Sequence, residues 1–447
     1  MQPQILNFNY ENLSDIVSHV LSVAKANGAT SAEAEISVAS GKNVSVRLGN
    51  LETVELNNDK SLSLTVYFGN RRGMASTSDF SSHAIEDSVK AACQIAKYTA
   101  EDNAFGLPEK SQFAIGTRDL DLFHPWKEDE SIMIDRALEC EEEALSFDKR
   151  IDNSEGAQMS KSDAIFVYGN SMGFLGGFPS SRFSLSCSVL ASDSQGMQRD
   201  SAYSSTRSFG DLVDGKLLGR EASQRALSRL NPRSIKTGKY PVIFEAPIAT
   251  SIISSLVSAI SGGNLYRETS FLMGSIGTKI ASEALTIHED PFLPKGNAST
   301  YFDDEGVRVQ PRILVEKGVL NGYFLSTYSA RRLGMESTGN AGGAHNLLIQ
   351  SSDNTLEQLL AKMGTGLIVT ELLGHGTNMV TGDYSRGAAG LWVESGQIQH
   401  AVEEITIAGN LRTMLANIIA VGNDTYNNSS KYTGSILIDG MMIAANG

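Results

Sequence analysis

"SAEAEISVASGKNVSVRLGNLETVELNNDKSLSLTVYF", Ser31–Phe68, decides the fold class of the N-terminal region. Apolar and polar residues alternate through Ala34–Val38, Val44–Leu48 and Leu62–Phe68. That is the period of a strand with one buried face. Gly41, Gly49-Asn50 and Asn57-Asn58-Asp59 predict the breaks between three strands. Helical spacing lies on either side. Ile16, Val17, Val20, Leu21 and Ala24 recur on one face, with Ser14 as the predicted start and Gly28 as the stop. Ser82–Ala100 repeats the pattern through Ile85, Val89, Ala92 and Ala96. The region is an α-β-β-β-α unit.

A loop with Pro108 and Pro125 leads to a second block that again begins with a helix, Asp129–Leu145. Strands Ala164–Tyr168, Phe183–Val189 and Gly196–Ser204 follow, then a helix over Leu217–Leu230 that must stop before Asn231-Pro232. Beyond that point Pro247 opens an apolar helix through Ile252, Ile253, Leu256, Val257 and Ile260, with Gly262-Gly263 as its predicted end. Two hairpins turn at Lys317-Gly318 and Ser395-Gly396. A short helix over Leu411–Ala420 precedes a last strand, Ile436–Ile443. The chain is therefore α+β, with three expected regions. These are an N-terminal α+β domain (1–125), a central α+β region packed with it (126–232) and a β-rich C-terminal domain with few helices (240–447).

At 447 residues, 41% hydrophobic and 20% charged, the composition is that of a globular protein of two to three domains. No run reaches the roughly 18 apolar residues of a membrane span, and the N-terminus shows no secretory pattern, so the cytoplasm is expected and a membrane partner is not. A net charge of −14 argues against nucleic acid as a partner, because phosphate neutralisation needs clustered cations. Cys93, Cys140 and Cys187 are expected as reduced, buried thiols.

The stretch richest in reactive groups is "GHGTNMVTGDYSRGAAG", Gly374–Gly390. Ser385 lacks the first glycine of a nucleophile elbow, and His375 and Asp383 would have to complete a triad from the same loop. A hydrolytic site around Ser385, or a metal site assembled from scattered residues, is the alternative in which this chain is a peptidase alone. His288-Glu289 is the one His-Glu pair, but Pro291 would break a metal-binding helix and position 292 is Phe. A polar turn is expected there. Gly339-Asn340-Ala341-Gly342-Gly343 suits tight turns better than a phosphate loop.

"TELLGHGTNMVTGDYSRGAAGLWVESGQIQHAVEEITIAGNL", Thr370–Leu411, closely resembles the C-terminal signature of the TldD/PmbA family, PmbA (TldE) branch. "DDEGVRVQPRILVEKGVLNGYFLSTYSARRLGMESTGNAGG", Asp303–Gly343, resembles the same branch. The resemblance implies a role in peptide maturation and proteolysis, historically under the label modulator of DNA gyrase. It implies a TldD-like homologous subunit as partner, unfolded peptides as substrates, and either a monomer or a homodimer when the chain is isolated. In the TldD branch a His-Glu-x-x-x-His helix and a late cysteine hold zinc. Here those positions fall near Ile253, Ser254, Ser258 and Val421. No cofactor is expected in this chain and zinc is expected in the partner. The resemblance leaves no catalytic residue here; His375, Asn378, Asp383, Tyr384, Ser385 and Arg386 become candidates for contacts with substrate or partner.

Overall fold

The computed structural model describes residues 4–127 and 129–445. The N-terminal helix α1 (Tyr10–Ala26) leads into β1 (Ser31–Arg47), β2 (Asn50–Phe68) and β3 (Arg71–Thr77), and α2 (Ser82–Tyr98) completes the expected unit. The partition of strands differs from expectation. Gly41 does not break β1, because it is paired on both sides, with Asn57 of β2 and with Ser162 of the next strand. Ladder bonds on both edges override a local breaker. The start of α1 also differs. Asn9 caps it through a reciprocal box with Asn12, while Ser14 lies buried inside the helix. Gly28 does end it, at φ +87°.

After α3 (Glu130–Ser146) the chain forms β4 (Ile151–Asn170), β5 (Leu175–Asp193), β6 (Gly196–Thr206) and α4 (Gly215–Ser228). Because β1 pairs with β4, the first and central regions share one six-stranded sheet, in the order β3-β2-β1-β4-β5-β6. Its helices cover one face. Even-numbered residues of β1 show how: Ala32 to Val38 bury under α1 and α2, and Val44 and Val46 join the core beneath α3 and α4. Odd-numbered Glu33 and Glu35 therefore point to the opposite face, toward the C-terminal domain.

That domain runs β7 (Gly238–Phe244), α5 (Ala246–Ala259), α6 (Gly262–Tyr266), β8 (Ile287–Asp290), β9 (Arg312–Glu316), β10 (Val319–Leu320), α7 (Thr327–Leu333), β11 (Asn346–Ile349), α8 (Leu356–Met363), β12 (Gly366–Leu373), β13 (Asp383–Glu394), β14 (Gln397–Asn410), α9 (Leu411–Ala416), β15 (Ile418–Val421), β16 (Lys431–Tyr432) and β17 (Ile436–Ala445). Six strands form the sheet β14-β13-β12-β7-β17-β15, and β14 also pairs with β17, so the sheet closes on itself. A second sheet has the order β10-β9-β8-β11-β16. Both hairpin turns hold positive φ at each central residue, 46° and 82° at Lys317-Gly318 and 51° and 75° at Ser395-Gly396. Three expectations change. Gly262 begins α6 instead of ending the previous helix; the helix after Leu411 stops at Ala416 and Ile418–Val421 is a strand; His288-Glu289 lies on β8, not in a turn.

Candidate functional site

The six candidates of the glycine-rich stretch do not form one constellation. Residues 374–382 make a loop, but Asp383, Tyr384, Ser385 and Arg386 open β13, paired with Asn410 to Ile407 of β14. Strand alternation splits them. Asp383 and Ser385 are exposed, whereas Tyr384 is buried and Arg386 half-buried on the face toward α5. The Asp383 carboxylate accepts from Thr381 Oγ1 (2.6 Å) and Asn410 Nδ2 (3.1 Å), bonds that hold its pKa below the usual range. Asn378 Oδ1 accepts from the backbone of Val380 and Thr381. His375 is exposed. Burial pushes the Tyr384 phenol up to about 12, opposed by the adjacent Arg386 guanidinium. The backbone explains the glycines: a Cβ at Gly376 would lie 1.5 Å from the Ser385 carbonyl, and one at Gly390 would lie 1.8 Å from that of Ile368.

Helix α5 occupies the place where the resemblance puts a metal helix. Pro247 in its first turn and apolar residues at i, i+3 and i+4 explain why it forms here. Ile253 is fully buried, and Val421 on β15 is 1% exposed in the same hydrophobic core. Ser254 Oγ donates back to Thr250 O at 2.7 Å, closing the hydroxyl onto its own helix. Ser258 offers its carbonyl to Ser261 Oγ and Asn264 Nδ2 (2.9 and 2.7 Å). Hydrocarbon and neutral serine hydroxyls do not fit zinc, which takes imidazole, thiolate or carboxylate donors. Among the described residues no group of three or more His, Cys, Asp or Glu gathers in a way that could hold a metal ion.

A dense polar cluster lies elsewhere, between the first sheet and a turn of the C-terminal domain, and was missed in the sequence. Glu33 accepts from Tyr67 Oη and Tyr168 Oη at 2.9 and 2.8 Å. Glu305, opposite, accepts from the Thr327 amide at 2.8 Å. Burial raises both carboxyls, and in Glu33 the nearby Glu305 charge adds to the rise while the tyrosines oppose it. Asp303, 2% exposed, is pushed up to about 7, first by burial and then by Glu305, against three amide donors from Ala341, Val307 and Glu305. The donors lie at 3.0, 2.9 and 3.0 Å. Glu289 of the His-Glu pair is structural. It binds Arg312 Nε (2.7 Å), Asn340 Nδ2 (2.7 Å) and the His345 amide (3.0 Å), tying β8 to the 339–345 turn. The alternation of β1 was the available signal: acidic residues at 33 and 35 on a strand whose other face is apolar imply a second, polar interface.

Three adjoining family models match this chain: PmbA/TldA metallopeptidase domain 1 over residues 32–96, the central domain over 123–230 and the C-terminal domain over 237–445. The chain belongs to the PmbA/TldD metallopeptidase family. It is 47% identical to metalloprotease PmbA of Escherichia coli O157:H7, across 97% of this chain and 96% of that one. The crystal structure of a putative modulator of DNA gyrase from Bacteroides thetaiotaomicron superposes with a TM-score of 0.92 at 29% identity, covering 97% of this chain and 98% of the other. TldE from Thermococcus kodakarensis shares the fold, with a TM-score of 0.83 at 22% identity over 96% and 100% of the two chains. The family thus places α5 and the Asp303–Gly343 segment in a metallopeptidase C-terminal domain. Among the described residues no helix is long and apolar enough to cross a membrane.

Proposed function

We propose that this chain is the TldE-like partner subunit of a TldD–TldE-type zinc metallopeptidase, binding unfolded peptides and a zinc-bearing homologue without holding the metal itself. One observation carries this reading. The positions expected to bind and activate a metal are Ile253, Ser254, Ser258 and Val421; Ile253 and Val421 belong to the core, the Ser254 hydroxyl bonds back to its own helix, and Ser258 offers no imidazole, thiolate or carboxylate. No observation favours the alternative of a separate hydrolytic site at Ser385, since the Asp383 carboxylate is engaged by Thr381 and Asn410.

One surface suits a homologous subunit. β3 pairs only with Leu62–Phe68 of β2, so residues 50–60 have a strand on one side alone among the described residues. Leu51 (48% exposed), Val54 (39%) and Leu56 (70%) lie along this edge. A long unpaired edge with three exposed apolar side chains among its charges invites strand addition, and the corresponding hairpin of a homologue offers a matching strand. His375, Asn378, Asp383 and Ser385 are further contact candidates on the exposed side of β13 and its loop, while Tyr384 and Arg386 face inward.

The test mixes the purified chain with its TldD-like homologue. The two should co-elute, peptide cleavage should need both, and zinc should follow the homologue. Leu56→Asp should abolish co-elution while leaving the melting temperature of the isolated chain within about 2 °C, as expected of a surface change. Stoichiometric zinc in the isolated chain together with hydrolysis would overturn the reading.

A further inference from the structure

A cavity of about 330 Å³ opens between the central region and the C-terminal domain, apart from α5 and from the β13 loop. Its walls are the rings of Phe166 on β4, Phe178 on β5 and Phe302, with Asp304, the Gly342-Gly343 backbone and His345 completing the lining. The rings form a connected cluster. Phe166 and Phe302 stack at 6.3 Å with 22° between planes, and Phe178 meets Phe302 edge-on at 6.1 Å.

The carboxylate at the rim is the unusual feature. Asp304 makes no side-chain hydrogen bond or ion pair with another described residue. Its titratable neighbours are His345, whose Nε2 lies 2.9 Å from the Gly339 carbonyl, Glu305 beside it in sequence, and Glu35 of the facing sheet. Glu35 likewise makes no side-chain hydrogen bond or ion pair among the described residues. Asp303 also lines the cavity, but three backbone amides engage its carboxylate. Gly342 makes the placement of Asp304 possible. A Cβ there would lie 2.3 Å from Asp304 Oδ2, and its φ of +90° suits glycine. Both carboxylates are exposed to solvent, and the charge of Asp304 adds to the rise that burial causes in Glu35. Ring faces beside them attract a cation through their quadrupoles.

We propose that this pocket binds a single cationic group of a peptide, a lysine or arginine side chain or an amino-terminal ammonium, between the phenylalanine rings and the Asp304 carboxylate. The volume sits at the low end of ligand sites, which suits one side chain rather than a nucleotide or prosthetic group. Apolar walls hold the alkyl stem and the Asp304 carboxylate meets the charged head. The proposal rests on the partner-subunit reading only for the ligand's being a peptide; the geometry of the pocket stands without it.

The probes are fluorescein-labelled pentapeptides, blocked at both ends, with lysine, arginine, norleucine or citrulline in the middle, and a fifth with a neutral centre and a free amino terminus. Binding to the full chain is followed by anisotropy. The lysine and arginine peptides should bind at least about tenfold more tightly than norleucine and citrulline. If the free-terminus peptide alone binds tightly, the ammonium is the source of the cation; if the blocked lysine and arginine peptides bind, the side chain is. Asp304→Asn, which keeps the shape, should remove the preference for charge, and Phe178→Leu should weaken all cationic peptides by several-fold. Circular dichroism melts check that both variants fold. If neither replacement can be purified folded, Glu35→Gln, which removes the like charge coupled to Asp304 from the facing strand, should reduce the preference for charge. Equal affinity for lysine and norleucine peptides, or an undiminished preference in folded Asp304→Asn, overturns the proposal. Either result leaves co-elution with the homologue unaffected, so this failure and that of the partner-subunit reading are separable.

Discussion

Removal of one guanidinium should loosen the seam between the two halves of the molecule. Arg225 of α4 donates from Nη1 to Glu245 Oε1 at 2.7 Å and from Nε to Asp200 Oδ1 at 3.3 Å. Arg229, one turn on, meets Asp200 at 3.6 Å and Glu371 at 2.5 Å. Asp200 belongs to β6, whereas Glu245 caps the start of α5 and Glu371 lies on β12, so the chain of charges spans both domains. The side chains of Arg225, Asp200 and Glu245 are 20%, 13% and 24% exposed. At an effective dielectric near 20 each contact carries about 4 kcal/mol of attraction, and desolvation offsets most of it. Arg225→Ala keeps the desolvation of Glu245 and Asp200 and removes the attraction. Deep pairs broken this way lose roughly 3–5 kcal/mol, and partial exposure lowers the expectation here to about 2–3 kcal/mol.

The two tryptophans allow the effect to be read in each half. Trp126 stacks on Phe209 on the central side and Trp392 packs on Tyr240 in the C-terminal domain. Trp392→Phe and Trp126→Phe therefore give backgrounds that report one half each in urea. In the parent the two midpoints should coincide. In Arg225→Ala the stability should drop by about 2–3 kcal/mol and the midpoints should separate. A double-mutant cycle with Glu245→Gln should recover at least about 1 kcal/mol of coupling. Coincident midpoints, with a loss below about 0.5 kcal/mol, would refute the view that these ions clamp the domains.

Two further outcomes follow from the same geometry. Asp303 is raised from 3.8 to about 7, so its contribution to folding is complete below pH 4 and is lost as pH rises through about 7. Asp303→Asn mimics the protonated form, and the stability of the parent relative to this variant should fall by on the order of 4 kcal/mol between pH 4 and 8 in urea titrations; a flat difference would show that the shift is absent. Gly390→Ala places a methyl 1.8 Å from the Ile368 carbonyl, backbone that cannot move aside, and should cost about 3 kcal/mol or more, or prevent recovery of folded protein. A variant with the parent's melting temperature would mean that β13 and β12 can separate without penalty.

Much of the architecture was legible because burial imposes a period on the chain. The helices α1–α4, the two tight hairpin turns and the strand-rich character of the C-terminal domain follow from apolar spacing and from glycine at positions of positive φ. The failures have a common physical origin. Gly41 predicts a break from its weak local strand preference, yet partners on both sides hold it extended. Ile418–Val421 has an apolar spacing a helix could also use, and its pairing with β17 made it a strand. Asp383–Arg386 look like one reactive cluster when written in a line, but strand alternation sends alternate side chains to opposite faces.

From its residues this protein is read as an acidic α+β chain, and the resemblance alone, set beside the chemical identity of Ile253, Ser254, Ser258 and Val421, carries the expectation that it holds no zinc. The meeting of Glu33, Glu35 and Asp303–Glu305 across the domain seam was decided by tertiary structure. Carboxylates more than 260 positions apart in the sequence acquire shared electrostatics only when the polar face of the first sheet meets the turn that carries Asp303–Glu305. Propensity and periodicity act over a few residues, whereas desolvation and charge coupling depend on distance in space.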